Sequence, residues 1–175
     1  EMVTETMVDL IECGAVDNSQ KGFMNGFSVC SFTMGSQRLY DFVHNNPSVL
    51  FKSSTFSNDP YTIARNNKFV SVNASLEIDL TGQCASETVG NLQWSGTGGA
   101  SDYSYGAYHS KGGRAMLCQI STAKKGTISR IAPILDPGSI VSVSRNLTDM
   151  VVTEYGVAKL RARTVKRSEE RRVGK

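Results

Sequence analysis

The scarcities in this 175-residue chain narrow its identity before any motif is read. It has four cysteines, Cys13, Cys30, Cys84 and Cys118, with no CxxC pair among them. Neither a zinc site nor a redox dithiol is signalled, and isolated thiols in a reducing cytosol fit better, which makes the expected location cytoplasmic. His44 and His109 are the only histidines, too few for a multi-histidine metal site. The apolar runs fall far short of a bilayer span, so no membrane partner is expected. An excess of one charge is missing as well. The net charge of +3 arises at the end, where Lys166, Arg167, Arg171, Arg172 and Lys175 face only Glu169 and Glu170; the rest balances at 14 basic and 14 acidic residues. No basic face is left for nucleic acid. There is no internal repeat, heptad or low-complexity tract. The chain begins with Glu1 rather than Met and opens directly on a helical pattern without a leader, so a fragment whose N-terminal half is missing is expected.

What is present is an ordinary globular composition, 39% apolar and 20% charged, enough for one domain with a real core. The most unusual stretch is SGTGGASDYSYGAYHSKGGRA, Ser95 to Ala115, with Gly96, Gly98 and Gly99 in four positions and Gly112 and Gly113 beyond. Such glycine density weakens helices and strands but lets backbone N–H groups approach a ligand without a Cβ in the way. A flexible connecting loop explains it equally well. It lacks the GK[ST] ending of a phosphate-binding NTPase loop.

Taken in order, residues 1–13 read as an amphipathic helix carrying Val3, Met7 and Leu10 on one face, with Gly14 as its stop. That places Glu1 at a helix start, where partial positive charge favours a carboxylate, although a solvated role suits an arbitrary terminal Glu. Phe27 to Met34 reads as one strand, and Ser36 caps a short helix to about Val43 buried by Leu39, Phe42 and Val43. Val49 to Lys52 is another strand. In SSTFSNDP, Asp59 before Pro60 is an N-cap followed by Pro at the first helical position, so a helix runs to about Asn66. Asn58 just ahead either makes an Asx turn or aims its amide at whatever lies there. Phe69 to Leu80 alternates as one long strand, or two with a kink near Asn73. Cys84 to Trp94 extends the sheet, and Ala115 to Ile120 is a buried strand. Ile128 to Ile134 and Ile140 to Val143 are further β candidates about the Asp136-Pro137-Gly138 turn. Met150 to Thr153 is strand-like, Glu154-Tyr155-Gly156 ends it, and Val157 to Ala162 begins a helix. The alternation predicts an α/β fold, a layered mixed β-sheet with flanking helices. Ligands in such folds gather past the carboxyl ends of strands, and Asn58, Gly96 to Gly99 and Glu154 share that placement.

With these loops read, the sequence resembles the C-terminal half of the acetyl-CoA hydrolase/transferase family, which includes 4-hydroxybutyrate, butyryl and acetate CoA-transferases. The resemblance rests on EMVTETMVDLIECGAV, FTMGSQRLYDFVHNNP, SNDP, VNASLEIDLTGQ, SGTGGASDYSYGA, STAKKGTISRIAP and VVTEYGVAKLRA, in the family's order from residue 1 to about 166. It implies a CoA-transferase C-terminal domain of the NagB/RpiA-like type over residues 1–166. Residues 167–175 form a tail outside the family pattern, with Val173 as its one large apolar residue, which reads as an expression or assembly scar.

The resemblance also implies a chemistry. A glutamate attacks an acyl thioester, a mixed anhydride forms, and the thiolate returns to give a glutamyl-CoA thioester that an incoming carboxylate reverses. The family's nucleophile lies in a stretch like His-Thr-Glu-Met, of which Glu1-Met2 remains, so Glu1 corresponds to it. Asn58 and Gly99, with Gly98 adjacent, correspond to the donors that stabilise negative oxygen. Glu154 corresponds to a glutamate near the active centre that orients or polarises the nucleophile; an exposed strand-end acid is its other reading. Gly96, Gly98, Lys124 and Lys125 are candidates for binding CoA, the lysines as point charges on its phosphates or simply as a solvated loop. Asp102 fixes the glycine loop through backbone hydrogen bonds. Tyr103 and Tyr105 line an acyl pocket or pack in the core, and Met34 and Trp94 belong to packing. Coenzyme A is expected as substrate, with no permanently bound cofactor. The other partners are an acyl-CoA, a short-chain carboxylic acid (acetate, butyrate or 4-hydroxybutyrate), the missing N-terminal half and, as an open alternative, a second copy. Fragment activity on its own is not expected. The rival readings are an acetyl-CoA hydrolase and a non-catalytic module that binds CoA esters.

Overall fold

The computed structural model describes residues 1–163; the expected tail over 167–175 and the last three residues of the expected domain lie outside them. The chain opens with β1 (Met2–Val3), and α1 (Glu5–Glu12) follows. The helix expected from residue 1 therefore starts four residues late. Thr4 has extended backbone, and the Glu1 carbonyl accepts the N–H of Ser31 at 2.7 Å and of Phe32 at 3.3 Å. Strand pairing satisfies the first residues and overrides the helical period. Gly14, at φ +76°, stops α1 as expected.

The single strand expected over Phe27–Met34 divides into β2 (Ser28–Cys30) and β3 (Phe32–Thr33), because its two halves choose different partners. β3 pairs in parallel with β1. After α2 (Gln37–Val43), β2 pairs in parallel with β4 (Val49–Phe51). Ser36 does precede α2, but its hydroxyl donates to Glu5 and makes no cap bond. Val3, Val8, Cys30, Leu39 and Val49 close this front layer as one buried cluster, with Phe42 and Val43 against it.

A one-turn helix, α3 (Ser54–Ser57), precedes α4 (Pro60–Ala64). Asp59 caps α4 as its sequence predicts, accepting the N–H of Tyr61 and of Thr62. The Phe69–Leu80 stretch is two strands, β5 (Val70–Ala74) and β6 (Glu77–Asp79), broken at Ser75. β7 (Cys84–Ala85) returns along β6, while β8 (Thr88–Val89) and β9 (Leu92–Gln93) form a separate hairpin.

The middle of the glycine-rich stretch is not a loop but a helix, α5 (Ala100–His109). Its internal Gly106 is explained by packing: a Cβ there would lie 2.5 Å from Ile63 Cγ2 of α4. Beyond it come β10 (Arg114–Cys118), β11 (Thr122–Ala123), β12 (Ile128–Ser129), β13 (Ile131–Ala132), β14 (Met150–Thr153) and β15 (Gly156–Lys159). Ile140–Val143 contributes one bridge, Val143 to Cys84, rather than a strand. The helix expected over Val157–Ala162 is β15, which pairs antiparallel with β14. A two-residue turn at Glu154 and Tyr155 and Gly156 at φ +138° fold it back, where Ala158 joins the core.

The main sheet has the order β15-β14-β10-β5, with β5, β10 and β14 parallel. Ile78, Leu117, Val143, Val151 and Ala158 form its core with Ala100 of α5 against them. Because α5 runs back toward the start of β10, its N-terminus lies where the parallel strands end. That edge is the one α/β folds use for ligands. The mixed α/β architecture expected from sequence is therefore present, as several small sheets around this one.

Candidate active site

Three segments converge on the Glu1 carboxylate. Its backbone is fixed by the Ser31 and Phe32 N–H groups. Asn58, at the end of α3, donates from Nδ2 to Glu1 Oε1 at 2.7 Å. The buried Ser57 hydroxyl donates to Asn58 Oδ1 at 2.8 Å, so the amide has its acceptor occupied and its NH2 toward Glu1, the only orientation an ionised carboxylate tolerates. The Asx-turn alternative for Asn58 is thus set aside. Gly99 completes the group from the start of α5. A Cβ on it would sit 2.5 Å from Asn58 Nδ2, 2.6 Å from Glu1 Oε1 and 2.9 Å from Glu1 Oε2, so no side chain fits between them. The first-turn N–H groups of α5 are those a helix leaves without intrahelical partners, and they favour negative charge.

Glu1, Asn58, Asp59, Thr97, Gly98 and Asp102 line an open cleft of about 590 Å³ together with Ser54 and Thr55. Gly98 has φ +58°, which suits glycine; Gly96 stands exposed on the approach. A larger cavity of about 720 Å³ is also lined by Glu1, together with Phe23, Phe56, Ile63 and Tyr103. Tyr103 is core-packed and donates its hydroxyl to the Ser57 carbonyl at 2.9 Å; burial and the Glu1 charge push its phenol well above the usual value. Tyr105 packs against His109 at the surface, their rings tilted by 52°.

The two glutamates of α1 are committed elsewhere. Glu5 accepts the Ser36 N–H at 3.0 Å and the Ser36 hydroxyl, and Glu12 pairs with Arg38 at 2.6 Å. Asp102 departs from expectation: no backbone N–H binds its carboxylate among the described residues, and it faces the cleft from the first turn of α5. Met34 and Trp94 are not packing residues, being 68% and 67% exposed; one follows a two-residue strand and the other leaves a hairpin whose strands pair only with each other among the described residues.

Glu154 lies at the same strand-end edge but its hydrogen bonds run to Ser121, whose N–H donates to Oε2 at 2.8 Å and whose hydroxyl donates to Oε1 at 2.6 Å. Those two donors, the hydroxyl first, hold its carboxyl below the usual range. No hydrogen bond joins it to Glu1 among the described residues. Lys124 and Lys125 sit exposed in a tight turn between β11 and β12, at φ +46° and +57°. Ser57 and Ser121 are the residues that sequence reasoning missed. Each stands inside a recognised motif, SNDP and STAKKG, but a serine beside a turn carries no signal of its own.

A glutamate, a carboxamide and a glycine-started helix gathered at the strand ends of a layered α/β domain define a class: domains built to hold a carboxylate against uncharged donors. The chain belongs to the acetyl-CoA hydrolase/transferase family. Its residues 35–172 match the acetyl-CoA hydrolase/transferase C-terminal domain. It is 48% identical over 166 residues to succinyl-CoA:cyclohexane-1-carboxylate CoA transferase of Geobacter metallireducens, covering 95% of this chain and 38% of that protein. It is 45% identical over 166 residues to 4-hydroxybutyrate coenzyme A transferase of Clostridium kluyveri, covering 95% of this chain and 39% of the relative. Among solved structures it is similar to RipA from Yersinia pestis, at TM-score 0.91 and 41% identity over 98% of this chain and 38% of that one. The chain thus spans well under half the length of the proteins it matches.

Proposed function

We propose that the full-length protein containing this chain is a CoA-transferase that moves CoA between a short-chain acyl-CoA and a carboxylate acceptor, and that Glu1 is its nucleophile. Acetate, butyrate and 4-hydroxybutyrate are the acceptor class, and an N-terminal half supplies the rest of the CoA cleft. The Glu1 carboxylate attacks the acyl thioester carbon and expels the CoA thiolate, leaving a mixed anhydride. The thiolate then attacks the glutamyl carbonyl and releases the acyl group as a carboxylate, leaving a glutamyl-CoA thioester. Both tetrahedral stages place negative charge on oxygen. Asn58 Nδ2 and the Gly99 N–H are the neutral donors that meet it. Glu154 shapes the cleft edge through Ser121, while Gly96 and Gly98 allow close approach and Lys124 and Lys125 meet phosphate. Coenzyme A is substrate, with no resident cofactor, and the cytoplasm is the proposed compartment.

The observation that carries this reading is the 2.7 Å contact from Asn58 to a carboxylate that Gly99 also abuts. Incubating the full-length protein with acetyl-CoA and then borohydride tests it. Reductive loss of a glutamyl thioester at Glu1, absent in Glu1→Gln, is the expected result. No reducible adduct would point to a CoA-ester binding module, and free CoA released without acceptor as fast as transfer would point to a hydrolase.

A further inference from the structure

The cleft holds a second carboxylate that the donors around Glu1 leave uncompensated. Asp102 is the third residue of α5, and side chains there lean back toward the helix start, where Gly99 abuts Glu1. Both acids line the same cleft. Among the described residues, no donor is hydrogen-bonded to the Asp102 carboxylate, and no lysine, arginine or histidine lines the cleft. The other titratable groups lining the cleft are Glu1 from the front layer and Asp59 from the start of α4, with Tyr103 next to Asp102 on α5; the α5 amides partly offset them. Asp59 is committed to the Tyr61 and Thr62 N–H groups, which leaves Glu1 as the acid whose charge acts on Asp102 among the described residues.

We propose that Asp102 is a positioning residue for Glu1, a like charge that keeps the free carboxylate at high energy until CoA takes it. The inference rests on Glu1 being the nucleophile. Its logic is charge balance. The half-reaction converts an enzyme carboxylate and an acyl-CoA into an enzyme thioester and a free carboxylate, so one negative charge leaves the enzyme with the product. Asp102 repels the reactant state of the enzyme and not its thioester, and so favours thioester formation. The electrostatics run in the same direction: burial first, and then the Glu1 charge, push the Asp102 carboxyl above its usual range. That coupling disappears once Glu1 is a neutral thioester.

The test uses the full-length protein and measures, by intact mass, the fraction of enzyme carrying CoA across a series of acetyl-CoA to acetate ratios. Asp102→Asn is expected to shift this equilibrium about three- to tenfold toward free enzyme, on the order of the effect of one nearby like charge. Asp102→Glu, which keeps the charge, should restore it. Asp102→Ser removes the charge with a different side chain if the Asn variant does not fold. A lowered melting temperature with an unchanged CoA equilibrium would overturn the proposal, since a residue that only starts a helix gives that result. Absence of any CoA adduct on the unsubstituted protein would instead remove the nucleophile reading beneath it, so the two failures are told apart.

Discussion

Glu1 and Glu154 are two carboxylates at one edge of the fold, and the structure treats them in opposite ways. Glu154 has both oxygens occupied by one residue, Ser121, through a hydroxyl and an N–H. Glu1 receives one side-chain donor on one oxygen and shares its cleft with another acid. A nucleophile needs a lone pair that is not already stabilised, and every donor added to a carboxylate lowers its basicity. By that criterion Glu154 is a clamp joining the end of β10 to the β14–β15 turn, and Glu1 is the group left able to react. The donors near Glu1 are also neutral, so they support a charge that passes to substrate oxygen without pinning it as an ion pair would.

The sharpest way to break this contrast is to remove the donor. Asn58→Ala in the full-length protein should lower the rate of CoA transfer by about 10²–10³-fold, the usual cost of losing one such donor, with the melting temperature little changed. A loss of only a few-fold would mean that Asn58 serves α3 rather than chemistry. Next in size is Gly99→Ala. Its new methyl carbon would press on Asn58 Nδ2 and both Glu1 oxygens at 2.5 to 2.9 Å, and displacing a reacting group by about 1 Å costs roughly 10²-fold. Ser57→Ala should be milder, roughly tenfold, since it frees the Asn58 amide to rotate but leaves it in place. Rescue by Ser57→Thr would separate orientation from packing.

How much of this contrast could be read beforehand depends on whether the deciding interaction is local. Asp59-Pro60 starts a helix and Gly14 stops one because cap and stop are settled within a few residues, and both stand as the sequence predicts. The split of residues 27–34 into β2 and β3 is settled by partners elsewhere, β4 for one half and β1 for the other, and no local pattern encodes it. β15 was unreadable for the same reason: Val157 to Lys159 suits either a helix or a strand until β14 lies beside it. α5 hid behind glycine, where Gly106 admits Ile63 and lowers apparent helix propensity at once. At the site, strand-end placement singled out Asn58 and Gly96 to Gly99, but their meeting with Glu1 was reachable only through family motifs, since the Asn58–Glu1 contact spans 57 residues. The same resemblance put Glu154 near the nucleophile and could not show that Ser121 holds it.

The smallest predicted effect asks whether the Ser121–Glu154 clamp is electrostatic. Its donors depress the folded-state carboxyl of Glu154, the hydroxyl contributing first and the N–H second. A depressed acid adds stability above its unfolded value, near 4.3, and that contribution is lost as pH falls through the lower folded value. Ser121→Ala removes the hydroxyl and keeps the N–H, so the variant should melt slightly below the unsubstituted protein at pH 7. The gap should narrow as pH drops below the ordinary glutamate range and close once Glu154 is protonated in both. Thermal denaturation across pH 3 to 7 measures this directly. A gap that stays constant with pH would make the contact one of packing, and the Ser121 donors would then no longer set Glu154 apart from Glu1 as a held anion.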